Sequence, residues 1–311
     1  MTPLVSILIP VYNRAHLIEE TVHSALVQTY EPIEVVVVDN ASTDSTWDIL
    51  QNLAKSDRRL RIFRNDSNIG PVRNWKRCAE EAKGELSKIL FSDDTLNVDC
   101  IAKMAEIIND PEVSFVYCSA LIGKSKQDSV LTYYLEQTDL ISRHQFINLV
   151  LQGKAPVSPG AVLLRTKDLI NNLHINFPTS TPQPYEKHGA GPDVMIMFLT
   201  SENYKWVAYI QSALVYFREH DRSFTIANKN NQVQVGYRSI FSYYLINKIG
   251  VGSWISYIAD SWLRQIRKKK KWVNPRQFLL QHEGRGTFKE QIGLLIVATY
   301  RVFYWLTHNI N

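Results

Sequence analysis

The chain has 311 residues, 45% of them hydrophobic and 21% charged, with a formal charge of +5. That is ordinary globular composition, which excludes a disordered or fibrous chain and allows one large domain with an appendage. Much of the positive charge sits in Arg264, Arg267 and Lys268-Lys-Lys-Lys271; the remainder is near neutral, which argues against a nucleic-acid binder.

The three cysteines, Cys78, Cys100 and Cys118, include no C-x-x-C pair. This excludes a disulfide framework and a cysteine zinc site and fits a reducing compartment. The N-terminus lacks the basic segment of a signal peptide, and no uncharged apolar stretch reaches the roughly 18–20 residues that span a bilayer. The nearest approach, Gln291 to Tyr300, is interrupted by Arg301. A cytoplasmic protein is expected.

In chain order, Leu4-Val-Ser-Ile-Leu-Ile9 reads as a buried strand stopped by Pro10, and Asn13 as the cap of a helix over 14–28. Ile33-Glu-Val-Val-Val-Val38 is a second buried strand ending at Asp39, followed by a polar turn and a helix near 44–54. Leu60-Arg-Ile-Phe63 is a short strand; Pro71 suits the first position of a helix over 71–83, which Gly84 closes. A strand opening at Leu86 whose carboxyl end delivers Asp93 and Asp94 into a loop, a helix over 97–109 and a strand over 113–118 complete the series.

This alternation over about 120 residues predicts a mostly parallel α/β sheet flanked by helices, whose ligands bind outside the carboxyl ends of the strands. Those ends carry Pro10 to Asn13, Asp39 and the adjacent carboxylates Asp93 and Asp94. Two neighbouring like charges require a compensating cation or hydrogen-bond donors, and oxygen ligands of this kind suit Mg2+ or Mn2+ beside phosphates. Alone, Asp94 also reads as a helix cap. No G-x-G-x-x-G follows the first strand and no G-x-x-x-x-G-K-S/T occurs, which disfavours dinucleotide-binding and P-loop domains. Arg73 is a candidate to help neutralise a diphosphate.

Beyond residue 119 the pattern weakens. The proline-rich stretch 177–185, with Glu186 to Gly191, makes a long loop, and a helix opens after Pro192-Asp193. Residues 233–262 have helical period and many aromatics, and the basic run follows.

Four segments together carry a resemblance: Val5-Ser-Ile-Leu-Ile-Pro-Val-Tyr-Asn-Arg14, Val36-Val-Val-Asp-Asn-Ala-Ser-Thr-Asp44, Asn68-Ile-Gly70 with Arg73-Asn74, and Ser92-Asp-Asp94. In order and spacing they resemble family 2 glycosyltransferases, strongly over 4–100 and more weakly to about 222. The resemblance implies a GT-A fold, a nucleotide-diphospho-sugar donor of the UDP or GDP type, a divalent metal and inversion at the anomeric carbon. By position it implies nucleotide contacts from Pro10, Tyr12, Asn13, Asp39, Arg73 and Asp93, a metal ligand in Asp94, and a general base in Asp193. His220 matches a histidine near the end of the family's catalytic region and is a candidate acceptor or phosphate contact, or a metal ligand. Glu186 and His188, in the long loop, are candidate acceptor or phosphate contacts.

The chain departs from the family at Phe91, where many members have another aspartate, and at Pro192, which is often acidic. It also lacks the Q-x-x-R-W motif of processive synthases, which favours transfer of a single sugar. The expected organisation is a GT-A domain over 1–225 and a helical extension over 226–311. The extension's basic segment 264–272 is a candidate contact with anionic lipid. The expected acceptor is a glycan or lipid-linked sugar. The alternatives are a catalytically silent nucleotide- or glycan-binding partner and a GT-A-like nucleotidyltransferase; the latter is disfavoured because no G-G-x-G-T-R type loop follows the first strand.

Overall fold

The structure, a computed structural model, describes residues 2–180, 183–220, 232–269, 272–283 and 288–308. The chain divides into two compact units, one of residues 1–176 and 184–230, the other of 177–183 and 231–311.

The first unit is built on one sheet. In chain order its elements are β1 (Val5–Val11), α1 (Ile18–Leu26), β2 (Ile33–Asp39), α2 (Thr46–Ser56), β3 (Leu60–Arg64), α3 (Pro71–Glu81), β4 (Leu86–Ile89), β5 (Thr95–Leu96), α4 (Cys100–Ile108) and β6 (Val113–Gly123). There follow β7 (Val130–Thr132), β8 (Asp139–Ser142), α5 (Arg143–Leu151), a 3-10 turn (Pro159–Ala161), β9 (Val162–Arg165), α6 (Thr166–Asn172), α7 (Tyr185–His188), α8 (Pro192–Ser201) and β10 (Trp206–Arg218). Strand order is β3-β2-β1-β4-β9-β6-β10-β5, with β7 added to β6 and β8 to β10. The pairs β3–β2, β2–β1, β1–β4 and β6–β10 are parallel; β9 runs antiparallel between β4 and β6. The sheet is thus mostly parallel and flanked by helices, as its alternating sequence predicts.

The apolar runs explain the central strands. Every residue of β1 and β2 is buried, as expected of strands covered on both faces. Helix α3 turns Val72, Trp75, Cys78 and Ala79 inward at helical spacing, and each large apolar group so buried contributes about 1.5–3 kcal/mol. The strand β1 continues through Pro10 to Val11 instead of stopping at the proline. The β1–β4 ladder ends at Leu8 and Ile89, with Leu90 N–H donating to Leu8 O. Pro10, two residues beyond Leu8, faces the same side past the end of β4, where no ladder bond needs its missing N–H.

Two expected caps are absent. Asn13 does not cap α1, which starts at Ile18; its φ is 52° and its side chain bonds to Thr43 instead. Gly84 lies beyond the end of α3 at Glu81 and serves a close approach: a Cβ there would stand 2.6 Å from Leu4 O and 2.7 Å from Ser6 N.

The second unit contains α9 (Gln232–Tyr244), a π turn (Leu245–Ile249), α10 (Val251–Lys269), α11 (Pro275–Glu283) and α12 (Phe288–His308). The helical stretch expected over 233–262 is therefore two helices, separated at Gly250, whose φ of 131° a side chain would oppose. Trp254, Ile258, Ala259 and Trp262 form the buried stripe of α10. Residues 177–183 group with these helices. No described helix is long and apolar enough to cross a membrane. Lys270 and Lys271 of the basic segment lie outside the described residues; Arg264, Arg267, Lys268 and Trp272 are exposed.

Candidate functional site

The carboxyl edge of the parallel strands is assembled by register. Val11, Asp39 and Arg64 are aligned across β1, β2 and β3, so the last residues of three strands meet. Asp39 is fully buried; its carboxylate accepts the Ser42 N–H at 3.2 Å and the Ser42 hydroxyl, and pairs with Arg64 Nε at 3.1 Å. This is the turn geometry expected of an aspartate, with an added ion pair.

The loops after β1 and β2 are joined. Asn13 N–H donates to Ser42 Oγ at 2.9 Å, Thr43 N–H to Asn13 Oδ1 at 2.8 Å, and Arg14 N–H to Thr46 Oγ1 at 2.9 Å. Asn13 and Ala41 both hold positive φ, a sparsely populated conformation for side-chain-bearing residues that concentrates at ligand sites. Tyr12 is exposed beside them and Pro10 is buried within β1. An asparagine network sets the next loop. Asn65 Nδ2 donates to Asn40 Oδ1 and Asn74 Oδ1, Asn74 Nδ2 donates to Val38 O, and Asn40 Nδ2 donates to Asn68 Oδ1. Arg73, on the first turn of α3, is exposed and makes no hydrogen bond or ion pair among the described residues.

Asp93 and Asp94 lie between β4 and β5. Because β5 pairs antiparallel with β10 through Thr95–Tyr216 and Leu96–Val215, the same register continued two residues brings Arg218 opposite Asp93. Arg218 N–H donates to Asp94 Oδ1 at 3.0 Å and Arg218 Nε to Asp93 O at 3.2 Å; its guanidinium also pairs with Glu20 at 2.5 Å. His220 Nε2 stands 3.0 Å from Asp93 Oδ2, and Arg14 Nε 3.6 Å from the same oxygen. Beneath them Lys88 is buried, its Nζ donating to Ile89 O at 3.1 Å and to Gly160 O. Burial, then the charge of Asp93, raise the Asp94 carboxyl well above the usual carboxylate range; the Arg218 N–H and the charges of Lys88 and Arg218 oppose this.

Two adjacent carboxyl groups, one of them buried with its ionised form disfavoured, would be relieved by a divalent ion. Among the described residues, however, no three His, Cys, Asp or Glu side chains form a group that could hold a metal. A divalent ion held here would be bound by Asp94 beside Asp93 and would keep waters, since no all-protein cage surrounds it among the described residues.

Asp193 is buried in the first turn of α8, directly after Pro192, not ahead of the helix. Its Oδ1 accepts the N–H groups of Gly191 at 2.8 Å and Val194 at 2.7 Å. The loop before it is seated against the α3 side of the sheet. Gly189, with φ 71°, lies where a Cβ would collide with the Trp75 ring, and Trp75 meets Phe91 edge-on at 5.5 Å between centroids. Phe91, which stands where many family members have an aspartate, thus packs on the tryptophan that seats the Asp193 loop. His188 is buried in this loop with its Nδ1 accepting the Ala190 N–H at 3.1 Å, and Glu186 lies on α7.

Several contributors were not singled out from sequence. Arg14 was legible within the first motif; Ser42 and Arg64 follow from the register at Asp39. Arg218 had no local signal, since its partners are 124 and 125 positions away. Tyr133 is another: at φ 57°, with Ser119 Oγ donating to its carbonyl at 3.2 Å, it is held in a conformation rare for an aromatic residue. Burial and then the charge of Asp193 push its phenol pKa up.

The family model described as "Glycosyl transferase family 2" matches residues 6–173. "Putative teichuronic acid biosynthesis glycosyltransferase TuaG" of Bacillus subtilis is 36% identical over 115 residues, 37% of this chain and 46% of that protein. "UDP-Glc:alpha-D-GlcNAc-diphosphoundecaprenol beta-1,3-glucosyltransferase WfaP" of Escherichia coli is 37% identical over 130 residues, 42% of this chain and 49% of that one. This chain thus spans about half the length of these curated relatives. Among solved structures, S. aureus TarS 1-349 in complex with UDP-GlcNAc aligns with a TM-score of 0.60 at 18% identity, covering 96% of this chain and 91% of that one. The likeness supports the GT-A fold.

Proposed function

Because the chain belongs to glycosyl transferase family 2, we propose that it is an inverting glycosyltransferase moving one sugar from a nucleotide-diphospho-sugar to a glycan or lipid-linked acceptor. The observation that carries this reading is a single strand edge bearing Asp39, the Asp93–Asp94 pair with Arg14, Arg218 and His220, and, through Phe91, Trp75 and Gly189, the Asp193 loop. The nucleotide belongs at the joined loops after β1 and β2, with Asp39 facing the base and Asp93 the ribose. The diphosphate belongs at the Asp93–Asp94 end, where the cationic side chains Arg14 and Arg218 gather.

The reaction needs a base, a stabilised leaving group and alignment. Asp193, held by two backbone N–H groups, takes the proton of the acceptor hydroxyl as its oxygen attacks the anomeric carbon. The new C–O bond forms as the bond from that carbon to the phosphate oxygen breaks, and its electron pair leaves with the nucleoside diphosphate. Attack opposite the leaving group inverts the anomeric carbon, and no covalent enzyme intermediate is required. Asp94 would hold Mg2+ or Mn2+, which would supply Lewis-acid stabilisation of the departing phosphate oxygens.

The donor is of the UDP or GDP type, with UDP favoured by the names of WfaP and of the TarS complex. A lipid-linked acceptor is favoured by the name of WfaP, and a role in surface polysaccharide assembly by that of TuaG; the reaction would then take place on the cytoplasmic face. The test is product release from a panel of nucleotide sugars with a diphosphoryl-lipid sugar as acceptor. Free nucleoside diphosphate supports transfer; pyrophosphate would indicate a nucleotidyltransferase, and binding without any release a silent partner protein.

A further inference from the structure

His188 ends α7, five residues before Asp193, and about 6% of its surface is exposed. Its Nδ1 accepts the Ala190 N–H at 3.1 Å. A ring nitrogen that accepts a hydrogen bond carries no proton, so the neutral imidazole bears its proton on Nε2. That atom is enclosed by protein and has no hydrogen-bond partner among the described residues. Buried polar groups are almost always paired, so a buried N–H donor without an acceptor calls for a specific explanation.

The ring is not free to turn away. The Nδ1 bond fixes one edge, Tyr185 packs edge-on against it at 5.7 Å, and the next residue, Gly189, is pressed on Trp75. The fold therefore holds an unsatisfied donor in the loop that carries the proposed base. Sites that violate local satisfaction in this way are where ligands complete the bonding.

We propose that His188 is a sugar-binding residue whose Nε2–H donates to a neutral oxygen, a hydroxyl or an acyl carbonyl, of a glycosyl group bound beside Asp193. The inference rests on the glycosyltransferase reading above. A sugar oxygen fits better than a phosphate on three grounds. Burial pushes the His188 pKa down and outweighs the opposing charge of Glu186, so the ring is neutral near pH 7. The carboxylates Glu186 and Asp193 in the same short segment would repel an anion. The cations Arg14 and Arg218, which suit a diphosphate, are gathered at Asp93 instead.

Two substitutions separate the ring's two bonds. His188→Asn keeps an acceptor near the Nδ1 position and removes the donor at Nε2; His188→Gln restores an N–H at that reach. Binding of UDP, UDP-glucose and UDP-GlcNAc to the full chain is measured by calorimetry. Initial rates are measured with a short-chain GlcNAc-diphosphate lipid, and urea unfolding is followed without ligand. We expect all three proteins to bind UDP alike and the unliganded Asn variant to be at least as stable as wild type.

If the donor glycosyl group is the source of the oxygen, the gain in affinity of UDP-sugar over UDP falls about tenfold in the Asn variant and returns to within about threefold in the Gln variant. If the acceptor sugar is the source, UDP-sugar affinity holds and the acceptor KM rises about tenfold, again with recovery by Gln. A tenfold loss of UDP affinity itself would make His188 a phosphate contact and overturn the proposal. A lowered urea midpoint of the unliganded Asn variant would make it a structural histidine, with the same consequence, as would no change in either sugar measurement. If wild type binds neither UDP nor UDP-sugar, the glycosyltransferase reading fails separately, and the unliganded comparison still decides whether Nε2–H is an orphan donor.

Discussion

The backbone N–H of Arg218 donates to Asp94 Oδ1 at 3.0 Å, tying the end of the long strand β10 to the carboxylate pair between β4 and β5. That bond does not compensate a full charge on a buried carboxyl next to Asp93. Asp94→Asn removes the charge and keeps the shape, so the unliganded protein should gain about 1–2 kcal/mol near pH 7. Urea unfolding measures it. The same variant should lose any dependence of UDP binding on Mn2+.

At Asp39 the balance has the opposite sign. Its carboxylate is fully buried and paired with Arg64, whose own side chain reaches solvent. Among the described residues Arg64→Ala leaves the charge with its Ser42 contacts alone, and should cost about 1–3 kcal/mol by denaturant unfolding. It should weaken UDP binding as well, because the turn from Asp39 to Ser42 also holds Asn13.

Gly189→Ala should be harmful for two separate reasons: its φ of 71° disfavours a side chain, and the added Cβ meets the Trp75 ring. A loss of about 1–3 kcal/mol is expected. Since the displaced loop carries Asp193, turnover should fall more than UDP affinity, which calorimetry and initial rates together resolve.

His188 gives a pH signature. Its pKa is lowered in the fold, whereas the unfolded chain takes up a proton near the ordinary value of about 6.5. Below that pH the unfolded state binds more protons than the folded one, so His188 removes stability as pH falls through this window and none above it. In a comparison of wild type with His188→Asn, the variant's stability should fall less between pH 7 and 5.

Much of this fold was readable from sequence because burial on both faces writes continuous apolar runs. Ile33 to Val38 could hardly be other than an inner strand, and Asp39 at its end marked the ligand edge. The carboxylate pair was equally plain. What could not be read was long-range or local in a way that residue type does not encode. The antiparallel register that brings Arg218 and His220 to Asp93 depends on a two-residue strand, β5. The left-handed turn at Tyr133 uses a residue type that disfavours it, and the break between α9 and α10 rests on Gly250 within a stretch of uniform helical period. The proline-rich stretch 177–183 grouped with the C-terminal helices because packing, not composition, decides that membership.

If Asp193 takes the acceptor proton, Asp193→Asn should all but abolish transfer without disturbing the donor site. The amide keeps an oxygen to accept the Gly191 and Val194 N–H groups, so the loop should hold its place. The measurement is single-turnover transfer, from whichever UDP-sugar wild type uses, beside the affinity for that donor. Donor affinity should stay within about threefold of wild type and the transfer rate should fall by about 10²–10⁴. Transfer within tenfold of wild type, with donor affinity intact, would contradict that role.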